Sequence, residues 1–224
     1  MSDTPGSIPN DFVWTTSCHS TTALREDQTQ ASDIEFTVSK PLLCKKSSYF
    51  AAMFEGEFIE GQTQTVNMEE IEGVVSPQTM PALLQWMYNR QFEFNTVEPE
   101  EQITAAIELS RLADMCDVQD LGEEMAKFIK EVLIENQDPY PDDNDYQDRN
   151  TYATTDEHIN SAGYFPRHHA VRGILAAASV EGFFKDKVYK FAKQARNHPT
   201  SGIDLLEHVR RHCIPLKQGL GKQR

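Results

Sequence analysis

Apolar and polar residues alternate over Ile34–Val38, IEFTV, in β-branched and aromatic types. That is the pattern of a strand with one buried face. Ser20–Arg25 is a second, weaker strand candidate, and the polar run EDQTQASD between the two suits a hairpin loop. From Leu42 the spacing turns helical. Leu42, Leu43, Phe50, Met53 and Phe54 supply the apolar positions, interrupted by Lys45-Lys46-Ser47-Ser48. The interruption predicts two short helices meeting at Ser47 or Ser48, because a serine hydroxyl can accept a free N–H at a helix start. Gly56 and Gly61 mark a loop, and Thr63–Met68, TQTVNM, has strand composition.

Further along, Ser76-Pro77 reads as an N-cap followed by proline at the first helical position. Met80, Leu83, Leu84, Met87 and Tyr88 then recur at the spacing of one buried helical face. Phe92–Phe94 suits a short strand or an extended link. Pro99 opens a helix with Glu100 and Glu101 in its first turn and an apolar face of Ile103, Ala106, Ile107 and Leu109 that runs on to Leu112 and Ala113. Asp120 and Glu123 have the spacing of a capping box ahead of a helix bearing Leu121, Met125, Phe128, Ile129 and Val132. The next stretch, ENQDPYPDDNDYQDRNTYATTDE, is acidic, carries two prolines and lacks apolar periodicity, so it reads as a linker. Helices are then predicted around 167–180, 182–195 and 202–212, with a fraying basic end, LKQGLGKQR.

Three blocks together resemble a BTB/POZ domain of the kind abundant in filamentous fungi: EFTVSKPLLCKKSSYFAAMFEGEFIEGQTQTV (35–66), SPQTMPALLQWMYNRQF (76–92) and ELSRLADMCDVQDLGEEM (108–125). The region after Glu157 resembles the helical extension that follows many such domains. The resemblance implies an α+β fold, with a three-stranded sheet packed on a cluster of short helices and a helical hairpin closing the domain. It also implies work by protein–protein association: many members self-associate, and some hold substrates for cullin-type ubiquitin ligases. Two positions depart from the family. Ser39 stands where a histidine is common, and Gly122 follows Leu121 where an asparagine is common. The family's first strand, which often takes part in dimerisation, has no clear counterpart.

The expected organisation is a flexible N-terminus (1–19), a BTB/POZ-like domain (20–134), an acidic linker (135–157), a helical extension (158–214) and a flexible basic tail (215–224). A formal charge of −14 argues against nucleic acid and against an anionic membrane as partners, because both attract surplus Lys and Arg. The opening residues lack the basic start and apolar core of a secretory signal. Cys18, Cys44, Cys116 and Cys213 are scattered without a CxxC pair, which suits reduced thiols in the cytoplasm or nucleus.

Phe58-Ile59-Glu60 matches the hydrophobic-x-Glu pattern through which cullin-binding relatives touch their scaffold, an aromatic anchor beside a rim charge. The plainer reading has Phe58 packed on the core and Glu60 solvated. Cys44 beside Lys45 and Lys46 is either a reactive thiol with a lowered pKa or, the favoured reading, a small core residue. His208 and His212 share a helical face, half of a possible zinc site, with Cys213 pointing off it. Arg210 and Arg211 disfavour a dication there, and His168-His169 is a weaker pair. Arg210, Arg211, Lys217, Lys222 and Arg224 form a basic end too diffuse for an import or nucleic-acid signal. No GxSxG, P-loop or GxGxxG pattern points to catalysis. The chain is therefore expected to be a non-enzymatic interaction protein with no cofactor, no metal and no small-molecule substrate. Its partners would be proteins, among them a second copy or a cullin scaffold. The rivals are an adaptor for a cullin-type ligase, an enzyme with an unrecognised site in the helical tail, and a transcription regulator acting indirectly, since no C₂H₂ zinc-finger spacing is present.

Overall fold

The computed structural model describes residues 11–18, 32–137, 151–185 and 189–220. They divide into two compact units. The first comprises residues up to Phe94 together with Arg111–Leu121; the second comprises Asn95–Ser110 and the chain from Gly122 onward.

The first unit is α+β. Its described sheet has three strands in the order β2-β1-β3, with β1 (Asp11–Cys18) between β2 (Ser32–Ser39) and β3 (Thr65–Glu69). β1 pairs antiparallel with β2, setting Asp11 opposite Ser39, and parallel with β3, setting Val13 opposite Thr65. The central strand thus comes from the N-terminal stretch expected to be flexible. The expected strand at Ser20–Arg25 lies outside the described residues, apart from which β2 confirms Ile34–Val38 as strand. β3 alternates as its composition predicts, with Val66 and Met68 buried and their neighbours exposed.

After β2 the chain forms α1 (Lys40–Lys46) and α2 (Ser48–Glu55), broken at Ser47 as the polar interruption predicts. Ser47 is 2% exposed and extended (φ −147°, ψ 122°), and its hydroxyl accepts the Phe50 N–H at 3.1 Å while donating to the Cys116 carbonyl. Leu43, Phe50 and Phe54 are buried beside it, the two rings stacked 6.1 Å apart. The expected Gly56–Gly61 loop instead contains a short helix, α3 (Ile59–Thr63). α4 (Thr79–Asn89) starts two residues past Pro77, which sits in the preceding turn. Ser76 still serves the helix start, its hydroxyl accepting the Thr79 N–H at 3.3 Å. Met80, Leu83, Leu84 and Met87 form the buried face of α4, and Phe92–Phe94 is an extended link rather than a strand.

α5 (Pro99–Met115) and α6 (Leu121–Glu135) follow, and the division between the units passes through α5. Asp120 adopts a left-handed backbone (φ 69°) in place of the extended one usual at an N-cap, and its carboxylate lies 3.6 Å from Arg90. Part of the expected linker is built into the second unit: Thr151, Ala153 and Thr154 are buried, and Lys190 donates to the carbonyls of Thr151 and Thr154 at 2.8 and 2.7 Å. Its residues 138–150 lie outside the described residues. α7 (Asp156–Ala162), α8 (Ala170–Lys185), α9 (Ala192–Asn197) and α10 (Pro199–Leu220) complete the unit. The helix expected over 182–195 is therefore two, the end of α8 and α9 separated by a turn. The tail expected to fray from 215 is helical to Leu220.

Two buried polar groups organise this unit. Arg172 on α8 makes a two-pronged contact with Asp204 on α10 and also donates to the Phe165 carbonyl at 2.9 Å. His158, buried on α7, completes a reciprocal cap in which the Thr155 hydroxyl accepts the His158 N–H and His158 Nδ1 accepts the Thr155 N–H at 3.1 Å. With Nδ1 accepting, Nε2 carries the proton and donates to Thr104 Oγ1, 2.9 Å away, whose own hydroxyl donates to the Glu100 carbonyl.

Burial pushes the His158 pKa from 6.5 down to about 4, with the Lys190 ammonium adding to the effect. Between those values the unfolded chain binds the extra proton and the folded chain does not, so stability falls as pH drops from 6.5 toward 4. The loss amounts to about 3 kcal/mol over the whole window. Urea denaturation of the parent and of His158→Gln at pH 7 and pH 4.5 checks this: the variant should show a flatter pH dependence, and an equal slope would place the acid sensitivity elsewhere. Ser47→Ala should cost about 1–3 kcal/mol, because it removes a helix cap and leaves a buried carbonyl without its donor. A urea midpoint unchanged from the parent would remove Ser47 as a structural tie.

Candidate functional site

The turn between α2 and α3 carries the residues singled out from the sequence. Gly56 ends α2, its N–H bonded to the Ala52 carbonyl at 3.0 Å, and a Cβ there would clash with that same carbonyl oxygen and meet the Phe58 ring at 3.2 Å. Phe58 is the N-cap of α3 and its carbonyl accepts the Gly61 N–H at 3.1 Å. A Cβ at Gly61 would stand 3.0 Å from the Phe54 carbonyl oxygen and 3.1 Å from that of Gly56. α3 is thus folded tightly onto the end of α2. At its far end Gln64 takes a left-handed conformation (φ 55°) and donates its N–H to the Glu60 carbonyl at 2.9 Å.

The result is a fixed turn that turns two apolar side chains outward. Phe58 is 60% exposed and Ile59 is 68% exposed, with Glu60 half-buried next in sequence. Phe58 therefore does not pack in the core, as the plainer sequence reading had it. Ile59, the middle residue of the pattern, is the more exposed of the two.

At the corner where the resemblance implies a histidine, this chain has Ser39. The Ser39 backbone N–H donates to the Tyr88 hydroxyl at 2.7 Å. Tyr88 is 51% exposed and so is not part of the buried α4 face on which its spacing placed it. The second departure, Gly122, lies against His169: a Cβ would meet Nε2 of that ring at 2.9 Å. His169 is stacked on Phe165, centroids 4.2 Å apart, and its Nδ1 accepts the Val171 N–H at 3.3 Å, which gives it a packing role.

Cys44 is half-buried and its pKa is raised, first by burial and then by Glu55, so the reading of a lysine-activated thiolate is corrected. Burial pushes the Cys116 thiol up to about 12. His208 is half-buried on α10, while the side chains of His212, Cys213 and Lys217, and residues 221–224, lie outside the description. Among the described residues no group of three or more His, Cys, Asp or Glu is placed to hold a metal, and no helix is long and apolar enough to cross a membrane. In the helical tail Arg172 and Asp204 converge on a cavity of about 20 Å³. They pair with each other, and the space suits a water molecule rather than a substrate.

Residues 24–133 match the family model of the BTB/POZ domain. This stretch is a BTB/POZ domain. The matched span contains β2 and β3 and leaves β1, the central strand of the sheet, ahead of it. Over 89 residues the chain is 26% identical to Kelch-like protein 3 of Bos taurus, of Pongo abelii and of Homo sapiens. That similarity takes in 40% of this chain and 14% of the length of these curated relatives. The BTB/POZ domain is a protein-interaction domain, and Phe58, Ile59 and Glu60 all lie within it.

Exposure separates the roles of the two phenylalanines in this part of the BTB/POZ domain. Phe54, 2% exposed, should cost about 3–5 kcal/mol when cut to alanine. Phe58→Ala should change stability by no more than about 0.5 kcal/mol. Chemical denaturation of the two variants side by side tests this, and a large loss for Phe58→Ala would return that side chain to the core.

Proposed function

We propose that this chain is a non-enzymatic protein-interaction protein whose BTB/POZ domain associates with a second copy or with another protein through its exposed faces. The observation that carries the reading is the Phe58–Ile59 pair, two adjacent apolar side chains more than half exposed on a turn held rigid by Gly56, Gly61 and Gln64. An apolar pair fixed in place loses little conformational freedom when covered, and an aromatic anchor is a common hot spot. The net charge of −14 favours proteins over nucleic acid or anionic membrane as the partner. On this reading the residues beyond the linker are a helical extension of the fungal variety, and the chain works in the cytoplasm or nucleus with its thiols reduced.

A second reading, adaptor for a cullin-type ubiquitin ligase, is favoured by one feature. Phe58-x-Glu60 resembles the hydrophobic-x-Glu contact of cullin-binding relatives, and its aromatic residue is available at the surface. In that case the helical extension would hold the substrate.

Light scattering on the purified chain reports self-association, and affinity co-purification with a cullin reports the scaffold contact. Phe58→Ala with Glu60→Ala should weaken the cullin contact by about 2 kcal/mol or more, roughly thirtyfold in Kd. Co-purification that survives the double variant would sink the adaptor contact. If Phe58→Ala with Ile59→Ala leaves both self-association and partner capture at parental strength, the apolar turn is not the interaction face.

A further inference from the structure

The BTB/POZ domain carries a second feature, away from Phe58. A cavity of about 190 Å³ has Lys45, Lys46, Trp86, Met87, Arg90 and Val118 among its lining residues. By the same measure a water molecule needs about 10–15 Å³, so the space admits a side chain together with water. Three of the lining residues are cations in a chain of net charge −14. The Arg90 guanidinium lies over the Trp86 ring, 5.0 Å from its centroid, and Arg90 itself is in the left-handed region (φ 61°) at the end of α4. Trp86 is 6% exposed, and among the described residues its buried indole N–H has no hydrogen-bond acceptor.

The charges nearby have different standing. Asp117 is engaged by the Ser48 hydroxyl and by the Gln119 amide at 2.7 Å. Asp120 sits 3.6 Å from Arg90, but its side chain is 76% exposed and that of Arg90 44% exposed. Such a surface pair is weak and yields readily to a better-placed carboxylate. Lys45 and Lys46 also occupy the last turn of α1, where cations offset the negative end of the helix dipole. That role asks only for exposed charge. It leaves unexplained a guanidinium laid on an indole at the same cavity.

We infer that the Lys45–Lys46–Arg90 cavity, floored by Trp86, is a docking site for the side-chain carboxylates of an acidic segment in a partner protein. The inference rests on the reading of the domain as a protein-association module and names the chemistry of one partner. The overall negative charge repels an acidic segment at long range, so binding is decided by these cations within a Debye length of about 8–10 Å. The Arg90 guanidinium, held over the Trp86 ring, supplies oriented donors, as carboxylate recognition requires.

The test is a fluorescence-anisotropy titration of the full chain with a fluorescein-labelled octaglutamate peptide. A ¹H–¹⁵N spectrum follows the Trp86 indole N–H in parallel, assigned by its loss in Trp86→Phe. Lys45→Gln, Lys46→Gln and Arg90→Gln combined should weaken binding at least about tenfold. The control Lys127→Gln with Lys130→Gln, on α6, should stay within about twofold. The indole resonance should shift on adding peptide. Binding with no indole shift, or an equal loss in the α6 control, would overturn the site. Inorganic phosphate shifting the resonance as strongly as the peptide at equal concentration would make it a small-anion site and overturn the docking of a protein segment. Phe58→Ala with Glu60→Ala should leave peptide binding intact, so a failure of the apolar turn and a failure of this cavity are read separately.

Discussion

A single buried hydroxyl, that of Ser47, sets the geometry on which both candidate surfaces of the BTB/POZ domain depend. The chain must leave α1 and enter α2 with one extended residue between them, and that residue is buried. An extended residue between two helices exposes the free N–H groups of one helix and the free carbonyls of the other. Ser47 answers part of that demand with one atom, accepting from Phe50 and donating to Cys116, while its backbone bridges to Val118. The end of α1 presents Lys45 and Lys46, and the end of α2 presents Gly56 and Phe58. Both surfaces are therefore positioned from opposite sides of one serine.

The second unit is pinned in another way. Its helices are tied by charged or titratable groups, two of them buried: Arg172 with Asp204, His158 with Thr155 and Thr104, and, nearer the surface, Lys190 over two carbonyls. Such groups add little net stability compared with apolar packing, because desolvation offsets their attraction. Removing one partner is costly, however, so they penalise alternative packings of α7, α8 and α10. The α8 sequence, rich in alanine and with a weakly amphipathic pattern, leaves its packing poorly specified by shape alone. A directional guanidinium–carboxylate pair supplies the missing specificity.

Much of the domain was legible because its signals are local. The Ser47 break follows from four polar residues interrupting an apolar face, and the buried faces of α4, α5 and α6 follow from helical spacing. What escaped depends on contacts distant in sequence. β1 reads FVWTT within a polar, proline-containing flank, and only its pairing with β2 on one side and β3 on the other makes it the central strand. Tyr88 fits the apolar spacing of α4, yet its hydroxyl is drawn to the Ser39 N–H, 49 residues away. α3 was hidden because two glycines usually mark a loop, whereas here they permit a short helix to lie directly on the end of α2. The Phe58 pattern was visible, but its exposure was not: composition alone does not say which of two neighbouring phenylalanines the core takes. The cationic cavity left no linear signature, since Lys45 and Arg90 are brought together only by the fold.

That last point bears on how charge should be read in an acidic protein. A net value of −14 states what the molecule does at distances beyond the screening length, where it repels other anions. It says nothing of a cleft whose walls are cations and an aromatic ring, because at contact range the nearest few groups dominate. The two surfaces of this BTB/POZ domain therefore respond to opposite physical variables. The Phe58–Ile59 turn gains from removing apolar area from water, a term that salt does not weaken. The Lys45–Lys46–Arg90 cavity gains from charge at short range, a term that salt screens. A partner that engaged both would bind with a salt dependence set by the cavity alone and a residual affinity set by the turn.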